Sequence, residues 1–444
     1  MASIPSALWR IKSHLDEHLS PEQVRSACVA AGHRWRDRVL DPATTVRLFV
    51  IQVLHGNVAC RALRHLGGLT ASTNAYCNAR ARLPLEALGT LAASVGASMR
   101  DASADVGRWR GHRLWLIDGS STSLPDAAGL QRVFGQPAAM KPGCGFPVAH
   151  VLMLMDAYTG FIADMLVGAW STRDIAQASA THASMGEGDV LVGDRAFGSY
   201  AHFALLLQRN LHGLCRMHQS RTPAVPLTDR PAPPTATART LRNLGPGDLL
   251  VELTRPRDRD QPAWMSDEDW AAMPESITLR QVSYRVKRAG GRTRAVTLLT
   301  TLTDAEAYPK KALTELYRSR WEIETNFRHL KTTMGMDTLR CKTPEGVTRE
   351  LWVYVLVYNL VRRVMLDEAR RRGVSPRRVS FIDALDAVRY GDGHGVAALT
   401  INPDRPGRMQ PRVIKRPKDR YTYMTRPRDD LKQALLVTNK GTDA

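Results

Sequence analysis

Two aspartates in the 444-residue chain have the setting that acid chemistry or metal binding requires. Asp118 follows the apolar run Leu114-Trp-Leu-Ile117, and Asp194 follows Val190-Leu-Val-Gly193. Carboxylates at the ends of strands in one sheet can converge, because the sheet fixes them and the turn beyond exposes them. Aspartate is also common in turns and helix caps, so the pair alone fits capping as well as catalysis. A third element is more specific. Tyr317, Arg320, Glu324 and Lys331 follow one another at spacings of three, four and seven, in a stretch that predicts one helix over 310–334. At 3.6 residues per turn, a spacing of seven returns to within about 20° of its starting direction. Tyr317, Glu324 and Lys331 then share a line with Arg320 beside it, flanked by Leu316, Ile323, Phe327, Leu330 and Met334. A carboxylate between cations next to a core suits a group that holds a metal while its neighbours hold phosphates. The i,i+4 charge pairs of a solvated helix would give the same spacing. Glu322 competes for the acidic role, but lies roughly 200° round the helix from Glu324.

The elements around these residues change texture along the chain. Residues 1–100 read as helical, with a capped start at Ser20-Pro21-Glu22-Gln23 and apolar periodicity through 44–54, 59–66 and 85–99. Gly67-Gly68-Leu69-Thr70 separates two short helices, the second over 72–83 with Arg80 and Arg82. That outline fits a helix-turn-helix or a plain bundle. From 112 to 217 strands and helices alternate: strands at 113–117, 189–193 and 213–217, a hairpin of 148–155 with 161–167, and helices at 175–185 and 200–208. His150 and His182 fall here without ligand spacing and read as packing or surface residues. The proline-rich stretch 220–245 excludes regular structure. Strands follow at 248–253, 277–286 and 295–301, the last two joined at Gly290-Gly291. A long helix starts at Thr343-Pro344-Glu345 and stops at Gly373. The stretch 405–428 carries nine Lys/Arg, one Asp and four prolines, and reads as an extended basic tail.

Composition narrows the partners. A net charge of +19 on a chain that is 43% hydrophobic argues for a folded protein that meets a polyanion, nucleic acid ahead of a membrane surface. The excess is unevenly placed: +6 over 1–100, −1 over 101–220, +2 over 221–308 and +12 over 309–444. No apolar segment reaches the ~20 residues of a membrane span, and the N-terminus shows no signal-peptide core. Six scattered cysteines form no C-x-x-C pair, which favours a reducing, cytoplasmic setting over a zinc site or disulfides.

Taken together, these motifs resemble the DDE insertion-sequence transposases of the Y-R-E-K branch, part of the RNase H-like superfamily. The signature Y-x2-R-x3-E-x6-K is met without a gap from Tyr317 to Lys331. Leu116-Ile-Asp118-Gly-Ser and Val192-Gly-Asp194-Arg-Ala-Phe-Gly-Ser-Tyr200 resemble the two aspartate motifs, and the likeness extends over most of residues 40–430. The resemblance implies an α/β fold with an RNase H-like core interrupted by a β-rich insertion, a helical N-terminal domain and a helical C-terminal region. The corresponding divisions are 1–105 for DNA binding, 106–220 and 309–400 for the core, 221–308 for the insertion and 401–444 for the basic tail. It implies Asp118, Asp194 and Glu324 as catalytic metal ligands, and Tyr317, Arg320 and Lys331 as phosphate contacts. Trp264 or Trp270 becomes a candidate to stack on an extruded base, and Arg195 a candidate DNA contact or carboxylate partner. Hard carboxylates suit Mg2+ or Mn2+, and two such ions would activate an attacking oxygen and stabilise the leaving one. The implied partners are double-stranded DNA, as terminal inverted repeats and target, and a second copy of the chain on paired ends, in a bacterial, nucleoid-associated setting. A nuclease that cuts without joining, and a transposase descendant that only binds DNA, remain as alternatives.

Overall fold

The computed structural model describes residues 19–36, 38–218, 223–224, 238–288, 291–390, 398–403, 424 and 426–440. Its centre is one mixed sheet of nine strands in the order β3-β2-β1-β4-β5-β9-β8-β7-β6. The strands are β1 Leu114–Ser123, β2 Val148–Asp156, β3 Ile162–Ala169, β4 Val190–Gly193, β5 His212–Arg216, β6 Ala238–Gly245, β7 Asp248–Thr254, β8 Ser276–Arg288 and β9 Gly291–Thr300. β1 runs antiparallel to β2 and parallel to β4, which is parallel to β5. The expected hairpin is β2 with β3. β9 pairs antiparallel with β5, so strands β6–β9 prolong the same sheet. Strand β6 corrects the reading of 220–245 as wholly irregular: the prolines end at Pro234, and the segment beyond is free to pair with β7. The Gly290 turn and most of the basic tail lie outside the described residues.

Side chains alternate across the sheet and feed two cores. Leu114, Leu116, Val190 and Val192 face one, which also holds the N- and C-terminal helices. Trp115, Ile117, Leu191 and Cys215 face the other, with helix α5 (Tyr200–Gln208). The N-terminal helices are α1 Pro21–Ala30, α2 Pro42–Leu54, α3 Thr73–Arg82 and α4 Leu85–Ala102. Ser20 and Gln23 form the expected capping box on α1, and Ser72 caps α3. The expected helix over 175–185 is split into a short α-turn, Asp174–Ala178, and a 3-10 turn, Ser179–Ser184.

Two C-terminal segments close the first core. The segment expected as one helix over 310–334 is broken into α6 (Lys310–Arg318), α7 (Trp321–Arg328) and a π-helical turn (His329–Thr333). The break has a local cause. Around Ser319 the backbone tightens to i−3 bonds: Ser319 N to Leu316 O, Arg320 N to Tyr317 O, and Ile323 N to Arg320 O. The Ser319 hydroxyl also takes Leu316 O, at 2.7 Å. In contrast α8 (Pro344–Arg372) is continuous over 29 residues, from the Thr343 cap to Gly373 at φ +62°. It is followed by α9, Phe381–Tyr390. The amide of Asn359 in α8 bonds both the N–H and the C=O of Ile162, which pins edge strand β3 to the helix.

Candidate active site

Asp118 was expected at a strand end, but it lies inside β1, opposite Met153 of β2. Its other edge is what opens it. Pairing of β1 with β4 stops at Leu116–Val192, so from Asp118 onward one side of β1 has no strand neighbour. Asp194 emerges just where β4 ends, with the same facing as Val192. Its Oδ1 accepts the Ala196 N–H at 2.6 Å. Helix α7 packs across the open edge of β1 and brings in Glu324.

One side chain joins these parts. The Arg320 guanidinium donates to Asp118 Oδ2 at 3.2 Å and to Glu324 Oε1 at 2.8 Å, so two carboxylates 206 positions apart in the chain share a single cation. Burial raises the pKa of Asp118 to about 7, and the charge of Asp194 pushes the same way, against the pull of Arg320 and the Gly119 N–H. Burial also pushes the Tyr317 hydroxyl up to about 12, which leaves it a neutral donor. Lys331 is tied to the end of β1, with Nζ 2.8 Å from Ser121 O and 3.5 Å from Asp337. Arg320 and Lys331 thus meet β1 at Asp118 and at Ser120–Ser121, with Glu324 held against Arg320 between them in the chain.

The chemistry of the donors fits a hard divalent cation: three carboxylates, that of Asp118 largely covered. They are not gathered about one point. Among the described residues no three His, Cys, Asp or Glu groups come close enough to hold an ion, because the Arg320 guanidinium lies between Asp118 and Glu324.

Other expected residues fare differently. Arg195 is exposed beside Asp194. Trp270 is a correction: it is 3% exposed, packs edge-on against Tyr200 and donates to Asp258, so it offers no free face to a base. Trp264 is half-buried against the same core. Sequence reasoning missed Trp321, which is 66% exposed next to Arg320. His150, read from the sequence as a packing or surface residue, bonds Asp174 on the second core's face of β1 and β2. The signal available for that pair was Gly119, a glycine with no turn to make.

In the N-terminal layer the two arginines of the possible helix-turn-helix part company. Arg80 is turned inward, bonding Gln52 and lying 4.7 Å from the Phe49 ring centre. Arg82 instead lines a cleft of about 960 Å³ with His33, Arg34, Trp35, Arg36 and Arg38. The His33 and Trp35 rings are stacked there, 5.9 Å apart.

Comparisons with known proteins agree on the class of protein that carries this sheet and these helices. Residues 109–360 match the family described as the transposase DDE domain, and the chain belongs to that family. It is 28% identical over 340 residues to the transposase InsG of insertion sequence element IS4 from Escherichia coli K12, covering 76% of this chain and 70% of that one. A shorter stretch of 73 residues is 36% identical to the putative transposase InsL of element IS186A from the same organism, 16% of this chain and 18% of that one. Among solved structures, a piggyBac transposase synaptic complex with hairpin DNA aligns over 87% of this chain and 80% of that one. Its TM-score is 0.41 at 10% identity, too slight a likeness to argue from.

Proposed function

We propose that this transposase acts on an insertion sequence: it binds the element's ends, cuts strands there and joins the freed 3′-OH to target DNA. The reading rests above all on one observation, that Asp118 and Glu324 reach the same guanidinium while Asp194 stands close enough to raise Asp118. Asp118, Asp194 and Glu324 are the residues that would hold Mg2+ or Mn2+. Two such ions would supply charge stabilisation for the attacking and leaving oxygens. For that, Arg320 must let go of both carboxylates, and a DNA phosphate is the anion best able to draw it off, through bidentate hydrogen bonds. Tyr317 donates its hydroxyl to the backbone of the bound end, and Lys331 adds a charge contact beside β1. Arg195 lies where it would touch DNA next to Asp194.

Strands β3-β2-β1-β4-β5, with one aspartate on β1 and the other just past the end of neighbouring β4, support reading 106–220 with 309–400 as an RNase H-like core, and 221–308 as its insertion. Residues 1–105 then form the end-binding layer, with the arginine-lined cleft rather than Arg80 as its gripping surface, and 401–444 a second basic arm. Trp321 takes over from Trp270 as the aromatic exposed for base stacking, with Trp264 secondary. Two copies of the chain hold the paired ends. Among the described residues no helix is long and apolar enough to cross a membrane.

The test is a strand-transfer assay with duplexes of the element's inverted repeats and Mg2+. Cut ends joined to target support the proposal. Cutting without joining would make the chain a nuclease, and binding without cutting a retired transposase; either result would overturn it.

A further inference from the structure

A second carboxylate is pressed against β1 on the face opposite Asp118. Asp174, the first residue of the short α-turn Asp174–Ala178, lies so close to Gly119 that a Cβ there would sit 2.0 Å from its Oδ1. Gly119 has no left-handed backbone to explain it, so it is the carboxylate above that requires glycine at this position. His150 of β2, two residues along the same face from the Gly119 partner Leu152, closes the clasp with a hydrogen bond from its Nε2 side to Asp174 Oδ1. Both side chains are largely covered, with 14% of His150 and 23% of Asp174 exposed, so the charge is only partly screened by water. Gly119 is the residue next to Asp118, so the Asp174 carboxylate lies directly behind that centre on the other face of β1.

We propose that Asp174, clasped by His150 against Gly119, is a positioning residue for the Asp118 centre: its fixed negative charge strengthens that centre's hold on a divalent cation without touching the ion. The proposal builds on the carboxylate triad described above. It accounts for a glycine directly after Asp118, and for a covered acid whose partner is a histidine rather than a lysine or arginine.

Titration of Mn2+ into the full chain, followed by electron paramagnetic resonance, tests it together with thermal melting. Asp174→Asn keeps the shape and the hydrogen bond but removes the charge. It should weaken Mn2+ binding about five- to tenfold with little change in Tm. Gly119→Ala, whose methyl displaces the carboxylate, should weaken binding in the same direction. Unchanged Mn2+ affinity in Asp174→Asn, with or without a lower Tm, would reduce the clasp to a packing feature and overturn the proposal. Asp118→Asn separates this from the underlying reading: if that variant binds Mn2+ as the wild type does, the triad itself is wrong.

Discussion

Helix α8 and the broken segment 310–334 are both C-terminal, both packed on the same face of the sheet, and built on opposite principles. Buried residues run through α8 from Gly346 to Ala369, its ends are capped by Thr343 and Gly373, and its polar groups serve packing. Glu350 is fully buried and accepts the N–H groups of Arg340 and Cys341 at 3.0 Å, along with the side-chain amide of Asn57. The broken segment buries only a stripe, and spends its polar residues on β1. A carboxylate in the first helix is there to be satisfied. In the second, Glu324 is 40% exposed and held by a cation that another anion could compete for. The difference separates an acid that serves packing from one that we propose serves catalysis.

Substitutions should divide along that line. The largest effect belongs to Glu324→Gln, which should lower strand cleavage by about three orders of magnitude or more, the loss of a metal ligand. Binding to an end duplex in a gel-shift assay and the urea midpoint should stay near wild type. Glu350→Ala should do the reverse. It takes the acceptor from the Arg340 and Cys341 N–H groups and from one hydrogen of the buried Asn57 amide, and should cost about 3 kcal/mol in urea unfolding, while the folded fraction still cleaves.

A third check uses pH. Because burial lifts Asp118 to about 7, cation affinity should rise as pH climbs from 6 to 8, since the ion needs the carboxylate. The sign for stability is opposite: the folded chain holds a proton that the unfolded chain has released, so without metal stability falls as pH rises between about 4 and 7. A Mn2+ affinity that is flat over this range would contradict the assignment. Smallest is Lys331→Ala, which should weaken end binding modestly and reduce the slope of log affinity against log salt by about 1.

Much of this was legible locally. Caps at Ser20, Ser72, Thr343 and Gly373 are decided within a turn of chain, and the structure places each where its neighbours require it. The residues of the signature could be picked out because their spacing is local too. What was not legible depends on distant partners. Asp118 looked like a strand end because nothing in its neighbourhood says that β4 stops two residues short. The break at Ser319 is the exception, local yet hidden, because it turns on a hydroxyl taking a carbonyl within its own helix rather than solvent. Arg80 and Arg82 look alike in sequence, yet Gln52 and Phe49, some thirty residues earlier, turn the first inward. Asp174 came to light only through the space that Gly119 leaves.

The central claim is that Asp118, Asp194 and Glu324 act as one unit on three separate elements. Cleavage of an end duplex in Mg2+ by Asp118→Asn, by Glu324→Gln and by the double variant tests it most directly. If the carboxylates share one function, each single variant falls to the same floor as the double. Losses that multiply from one substitution to the next, or full activity in either single variant, would contradict it.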